Sequence, residues 1–275
     1  MPAGWSPTGT QVTDAPFRVR VVTLFPELIA YAARVGVVGR AERAGRFALE
    51  TIDPRDFATD RHRRVDDAPF GGGPGMVLKA DVLGRAIAAA RAGPPSLPVA
   101  ALTARGTPLT QALAAELAAG PGCTLVCGRY EGFDERTLET AVDLEISVGD
   151  FVVSGGEIPA LLVLDAMVRL LPGALGNVAS AGEESFAEGL VEYPQFTRPR
   201  SLAEDEVPAT LLSGDHAAIA RWRRRAALGR TWLLRPDLID PAALSAADAE
   251  LLEEFIDEFR RLRRARGLWF DDEPP

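Results

Sequence analysis

The run Cys123-Thr124-Leu125-Val126-Cys127-Gly128-Arg129-Tyr130-Glu131-Gly132 is an apolar stretch that ends in a glycine-punctuated turn, and the pattern recurs downstream. Leu144-Glu145-Ile146 runs into Ser147-Val148-Gly149-Asp150, and Ser154-Gly155-Gly156-Glu157 opens a long apolar segment. An apolar run closed in this way reads as a buried strand feeding a loop. In an open α/β sheet ligands sit at the carboxyl ends of strands, and glycine lets main-chain amides come close to a bound molecule. Three such turns together predict a cofactor pocket lined by backbone rather than by a metal or a nucleophile.

Outward from these turns, Phe17 to Leu24 alternates and is β-branched, which predicts a first strand, and Pro26-Glu27 opens a helix through Arg34. Phe47 to Ile52, Pro98 to Leu102, Cys123 to Cys127 and Ala141 to Val148 supply further strands. Helices are expected over Asp81 to Arg91 and over Leu109 to Ala119, the second started by Thr107-Pro108. Strands alternating with helices predict a mostly parallel sheet covered on both faces. The helix from Glu157 to Leu171 is apolar nearly all the way round, so it belongs in a core or an interface. Its polar exceptions, Asp165 and Arg169, lie four residues apart on one face, either as a local ion pair or as a guanidinium placed at a site.

The composition divides the chain into a loose tail over 1–16, an α/β domain over 17–175, a flexible linker over 176–192 and a small helical domain over 193–275. Helices in the last are expected over Asp215 to Leu228 and Ser245 to Arg264. Hydrophobic content of 47% and charged content of 25% in 275 residues fit an ordinary globular protein. The longest apolar stretch, Ile158 to Val168, is broken by Asp165 and falls short of the ~20 residues of a membrane span. No secretory signal is visible, and Cys123 and Cys127 make no disulfide framework, so a cytoplasmic protein is expected.

A net charge of −9 argues against a general nucleic-acid binder. Its distribution is uneven. Between Asp215 and Arg235 stand six arginines against one acid, and Arg61-His62-Arg63-Arg64 forms a second basic knot. Confined cationic patches suit one specific polyanion, with solvated helix faces as the alternative. A nucleoside-triphosphate P-loop is excluded because the only lysine, Lys79, is misplaced for it. Two histidines and two cysteines match no zinc site, and no Gly-x-Ser-x-Gly elbow is present. Gly71-Gly72-Gly73-Pro74-Gly75 has the composition of a phosphate cradle but follows polar Asp66-Asp67, and reads equally as a flexible loop. Carboxylates and arginines beside a loop-built cofactor site remain, a profile that suits group transfer.

Five runs, in order, carry a family resemblance: Asp60-Arg61-His62-Arg63-Arg64-Val65-Asp66-Asp67, Gly71 to Met76, Cys127 to Arg136, Ser154-Gly155-Gly156-Glu157 and Leu212-Ser213-Gly214-Asp215-His216. Together they resemble the bacterial tRNA (guanine-N1)-methyltransferases that modify the guanine at tRNA position 37. The resemblance implies a SPOUT-type α/β fold, a parallel sheet with a deep trefoil knot, plus a small C-terminal helical domain. It also implies a homodimer with the active site at the subunit interface, and S-adenosylmethionine as cofactor. Cofactor contacts are then expected from Thr103 and Gly106, from Gly128, Arg129, Tyr130 and Gly132, and from Ser147, Val148, Gly149 and Asp150. Phe151, Val152, Val153, Gly155, Gly156 and Pro159 complete that set.

Guanine N1 is protonated near neutral pH, so the reaction needs a base and something to stabilise charge on O6. By resemblance Arg169 serves O6, and Glu131 contacts the target base or the methyl region. The base, which in the family is an aspartate reaching in from the partner subunit, matches Glu184, followed here by Ser185-Phe186. Asp66, Gly75, Ser185, Arg221, Arg223 and Arg224 are expected on the tRNA, and Trp222 and Trp232 either pack the helical domain or stack on a base. Ala104 stands where the family usually has proline. The resemblance suggests a magnesium requirement but no protein metal-ligand set. Alternatives are a SPOUT methyltransferase acting on another RNA position, a non-catalytic RNA-binding relative, and a nucleotide-binding α/β protein unrelated to RNA.

Overall fold

The computed structural model describes residues 16–175, 184–186, 188–203 and 205–265, in two compact units, Met1–Val178 and Ala179–Pro275. The expected tail up to residue 15, and residues 176–183 and 187 of the expected linker, lie outside the described residues.

The first unit is built on a five-stranded sheet in the order β2-β1-β6-β5-β7, every neighbouring pair parallel. Its strands are β1 (Phe17–Val22), β2 (Phe47–Ile52), β5 (Val99–Pro108), β6 (Gly122–Cys127) and β7 (Leu144–Ser147). All of β6 is buried, as a central strand covered on both faces requires. Its period of two is visible in the packing. Cys123, Leu125 and Cys127 join the core under α1 (Pro26–Ala32), α2 (Gly36–Arg43), α4 (Gln111–Ala118) and α6 (Glu157–Val168). Val126 joins the opposite core, under α3 (Ala80–Ala92). One buried cation sits within β1: Arg20 donates to Glu50 at 3.2 Å and to the carbonyls of Ala90, Pro95 and Pro94 at 2.9–3.3 Å, so its charge is hydrogen-bonded rather than stranded.

Several expected elements are differently bounded. Thr107-Pro108 ends β5 instead of starting a helix; α4 begins after Thr110, whose side chain accepts the Leu113 N–H at 3.1 Å as a cap. Ala141 closes a helix, α5 (Glu135–Ala141), that the sequence did not show because it is short and mostly polar. Asp134 caps α5 through the Arg136 N–H at 3.0 Å. The long apolar helix is regular only to Val168, and Leu170 and Leu171 continue it with tighter i→i+3 bonds before Pro172-Gly173. Asp66-Asp67, polar and not read as a strand, is the strand β3, paired antiparallel with β4 (Val77–Leu78), and the glycine-rich run is the tip of that hairpin.

In the second unit, α7 (His216–Leu234) and α8 (Ala246–Ala265) enclose Leu228, Leu251 and Leu252, with Leu190, Trp232 and Ile256 against them. Both tryptophans pack: Trp232 lies edge-on to Phe259 and Trp222 is tilted against Phe196. A two-residue pairing of β8 (Ser201–Leu202) with β9 (Asp205–Glu206) precedes α7. Among the described residues no helix is long and apolar enough to cross a membrane.

Candidate active site

The carboxyl ends of β5, β6 and β7 open into one cavity of ≈ 410 Å³. At β5 the ladder to β7 slips, so that Leu102 and Thr107 both face Ile146 and the residues between them loop out toward the cavity. At β6 the chain turns through Tyr130, held at φ 60°. The segment that opens α6 then passes directly over the end of β6: the Gly156 N–H donates to the Gly128 carbonyl at 2.8 Å. A Cβ on Gly156 would stand 2.7 Å from Cys127 Cα, so only glycine permits this crossing of two backbones.

Beneath the crossing lies a buried ion pair. Glu157 is 1% exposed; one carboxylate oxygen accepts the Thr23 hydroxyl at 2.9 Å and the other accepts Arg129 Nε at 2.9 Å. Arg129 also donates to the Ser154 carbonyl at 3.2 Å and lies 4.3 Å from the Phe25 ring centroid. This group ties β1, the turn after β6 and the start of α6 into one body, with every charge hydrogen-bonded. Burial pushes the Cys123 thiol up to about 12 and, with Glu157 nearby, raises that of Cys127, so neither is a ready nucleophile.

The mouth of the cavity is polar. Glu145 accepts Thr103 Oγ1 at 2.9 Å and two nitrogens of Arg105 at 3.0 Å, while Arg105 also holds both oxygens of Glu135 at 2.7 and 3.0 Å. The hydrogen bonds from Arg105 hold the Glu145 carboxyl below its usual range. Opposite, the β3–β4 hairpin docks on the turn after β6: the Glu131 N–H donates to the Met76 carbonyl at 2.8 Å and the Leu78 N–H to Gly132 at 3.1 Å. A Cβ on Gly75 would come within 2.2 Å of the Glu131 carboxylate. Burial raises the Tyr130 phenol, with the charge of Asp66 adding to it. Asp66, Gly75, Tyr130 and Glu131, distant in sequence, thus share one rim.

A model of the family described as tRNA (Guanine-1)-methyltransferase TrmD matches residues 17–241. The chain belongs to this family. It is 54% identical over 251 residues to the tRNA (guanine-N(1)-)-methyltransferase of Methylococcus capsulatus, covering 91% of this chain and 100% of that protein. Similar proteins of the same name occur in Rhodopseudomonas palustris, 56% identical over 81% of this chain and 88% of the relative, and in Xanthomonas campestris, 52% identical over 86% and 96%.

Of the positions expected to hold a methyltransferase's cofactor, all line the cavity except Gly106 and Asp150. Gly106 instead serves the sheet: a Cβ there would stand 2.5 Å from the Ile146 nitrogen. Asp150 is exposed. Residues the sequence did not single out include Leu102, Phe133, Leu138 and Ile146, which form the apolar floor, and Arg105 and Glu135 at the mouth.

Arg169 does not line the cavity. It is the C-cap of α6, ten residues beyond Pro159, or about 15 Å along the helix at 1.5 Å per residue. Glu184 and Ser185 belong to the second unit, where Glu184, Tyr193, Arg223 and Arg224 line a separate cavity of ≈ 360 Å³. The arginines of α7 are largely engaged there. Arg221 pairs with Glu254 at 2.6 Å, and Arg224 with Asp248 at 2.8 Å and Glu188 at 2.6 Å. Arg223 lies over the Tyr193 ring at 4.8 Å. Arg223 and Arg230 have no ion pair among the described residues.

Proposed function

We propose that the protein transfers a methyl group from S-adenosylmethionine to N1 of the guanine at tRNA position 37, beside the anticodon. The observation that carries this reading is the main-chain cavity at the ends of β5, β6 and β7, in a chain that belongs to the tRNA (Guanine-1)-methyltransferase family. Its volume falls in the range of small-molecule sites, and its apolar floor and exposed peptide groups suit an adenosine held by backbone. Gly128, Tyr130, Gly149 and Gly156 would hold the cofactor, which supplies an activated methyl on a sulfonium. The reading includes the trefoil knot that the family resemblance implies.

Glu184 would take the N1 proton and the Arg169 guanidinium would donate to O6 as negative charge builds there, leaving N1 able to accept the methyl that the bound cofactor would supply. Glu131, on the rim with Gly75 and Asp66, faces the target base. In this scheme the active site lies at the interface of two copies, with Glu184 of the partner subunit reaching in, while Arg169 stands about 15 Å along its own α6 from Pro159. The homodimer reading is supported by Leu28, Tyr31, Ile158 and Leu162, large apolar residues 40–73% exposed on α1 and α6. Magnesium meets no cluster of three or more His, Cys, Asp or Glu side chains among the described residues, and no step here runs through it. The requirement itself is tested by turnover in chelator.

Phosphate contact by Arg221 or Arg224 replaces an acidic partner, whereas Arg223 and Arg230 can meet phosphates at no such cost. Arg223→Ala should lower the slope of log affinity against log salt by roughly 0.7–0.9 per lost contact.

The deciding experiment is mass analysis of nucleosides from one defined transcript with guanine or adenine at position 37. N1-methylguanosine from the first alone is expected; a methylated ribose, or no product from either, overturns the reading. Glu184→Gln and Arg169→Ala should each lower turnover by about 10²-fold or more with cofactor affinity intact. Parental turnover in either removes that residue from the mechanism.

A further inference from the structure

The composition around Glu184 reads as loose linker, yet the described residues that follow it are folded. The Phe186 N–H donates to the Leu190 carbonyl at 2.7 Å, and the Glu192 N–H donates to Ser185 Oγ at 3.0 Å. These bonds close a short loop whose first residues adjoin Glu184. The loop is fastened to α7 at several points. Leu190 packs against the cluster of Leu228, Leu251 and Leu252, and Glu188 accepts Arg224 Nη1 at 2.6 Å while Asp248 holds the rest of that guanidinium. Arg235 lies 5.9 Å from the Phe186 ring.

The central fastening is Thr231. It is fully buried within α7, a place where its branched side chain and its back-bond to the helix bring no advantage to the helix itself. Its hydroxyl donates to the Ala227 carbonyl at 2.7 Å, which turns an oxygen lone pair toward the loop, and that oxygen accepts the Val191 N–H at 2.9 Å. The bond from Ser185 to Glu192 couples Val191 to the other end of the loop, so a shift at Val191 is passed to Ser185 and its neighbour Glu184.

We propose that Thr231 is a positioning residue for Glu184: α7 fixes the carboxylate through the closed loop of Ser185 to Glu192, beyond whatever grip the helix has on RNA. This rests on Glu184 acting as the base. A displacement of about 1 Å at a reacting group can cost on the order of 10²-fold in rate, so the fastening would be read in turnover rather than in binding.

The test compares Thr231→Val, which keeps the volume and removes both hydrogen bonds, with Thr231→Ser, which keeps them, in the full-length chain under single-turnover conditions. Thr231→Val should lower the methyl-transfer rate about 10- to 100-fold with affinity for S-adenosylmethionine within about twofold, and Thr231→Ser should restore it. In a Glu184→Gln background Thr231→Val should add no further loss, because the group it positions is already disabled. Parental turnover in Thr231→Val, or the same fold-loss in both backgrounds, overturns the proposal while leaving Glu184 as base. A harmless Glu184→Gln overturns the base assignment and this proposal with it. If Thr231→Val does not fold, Glu188→Gln carries the same comparison: a loss confined to the parent background supports the fastening, and an equal loss in both backgrounds overturns it.

Discussion

The two units reach order by different means. In the first, the cavity is made by backbone brought close to backbone: Gly156 against Gly128, with Tyr130 turned through positive φ. Among its described residues the one fully buried carboxylate, Glu157, has both oxygens bonded. In the second, side chains do the joining, with arginines of α7 threaded among acids of α8 in pairs that are partly exposed to water. Backbone contacts of the first kind tolerate almost no added atom, and water-exposed pairs of the second kind can exchange partners. A rigid small-molecule site and an adaptable polyanion surface would call for these two constructions respectively, as the proposed function requires.

Matched substitutions can break the contrast. The largest effect is expected at the cations. Arg129→Ala leaves the Glu157 carboxylate buried without its partner and should cost about 3–5 kcal/mol, whereas Arg221→Ala, whose side chain is 56% exposed, should cost under about 1 kcal/mol. Denaturant titration of both variants measures the gap, and similar costs would show that the pair under the cavity is not buried in solution.

Next come the glycines. Gly156→Ala places a methyl against Cys127 Cα and should cost about 1–3 kcal/mol, with cofactor affinity falling more than about tenfold by calorimetry. Gly214, at φ 74° with open space around it, should cost only the left-handed penalty of about 1–2 kcal/mol as alanine and leave cofactor affinity alone. Affinity lost equally in both would mean that the crossing of the two backbones does not shape the cavity.

The smallest effect is in acid. Arg105 holds the Glu145 carboxyl below its ordinary value of 4.5, so the folded group keeps its charge to lower pH than the unfolded one. Its stabilisation is therefore complete above that ordinary value and is lost as pH falls through the lower folded value. Melting temperature followed from pH 6 downward, against about pH 3 at the low end, should fall less steeply in Glu145→Gln than in the parent. An unchanged slope would place the acid sensitivity elsewhere, among the second unit's pairs.

The strands were legible because parallel, doubly covered strands are continuous apolar runs; β2 has the expected bounds, and β6 begins one residue early. The turns that line the cavity were legible because glycine announces close approach of backbone. What escaped is equally physical. α5 is too short and polar to show a period, and the hairpin of β3 and β4 gains its order by docking on the turn after β6 rather than from its own residues. Arg105 meets Glu135 and Glu145 across thirty and forty residues of sequence, a distance no local pattern spans.

By itself, the order of apolar runs and glycine turns determined the parallel sheet and the place of the cavity, and the family was carried by five motif runs that resemble it. Periodicity and backbone permissiveness are local properties, written residue by residue. Only the tertiary structure decided which charges meet: that Arg129 goes under the cavity to Glu157, that the α7 arginines turn to α8, and that Thr231 reaches Val191. Long side chains choose their partners through the packing of distant elements, and that choice appears only once the chain has folded.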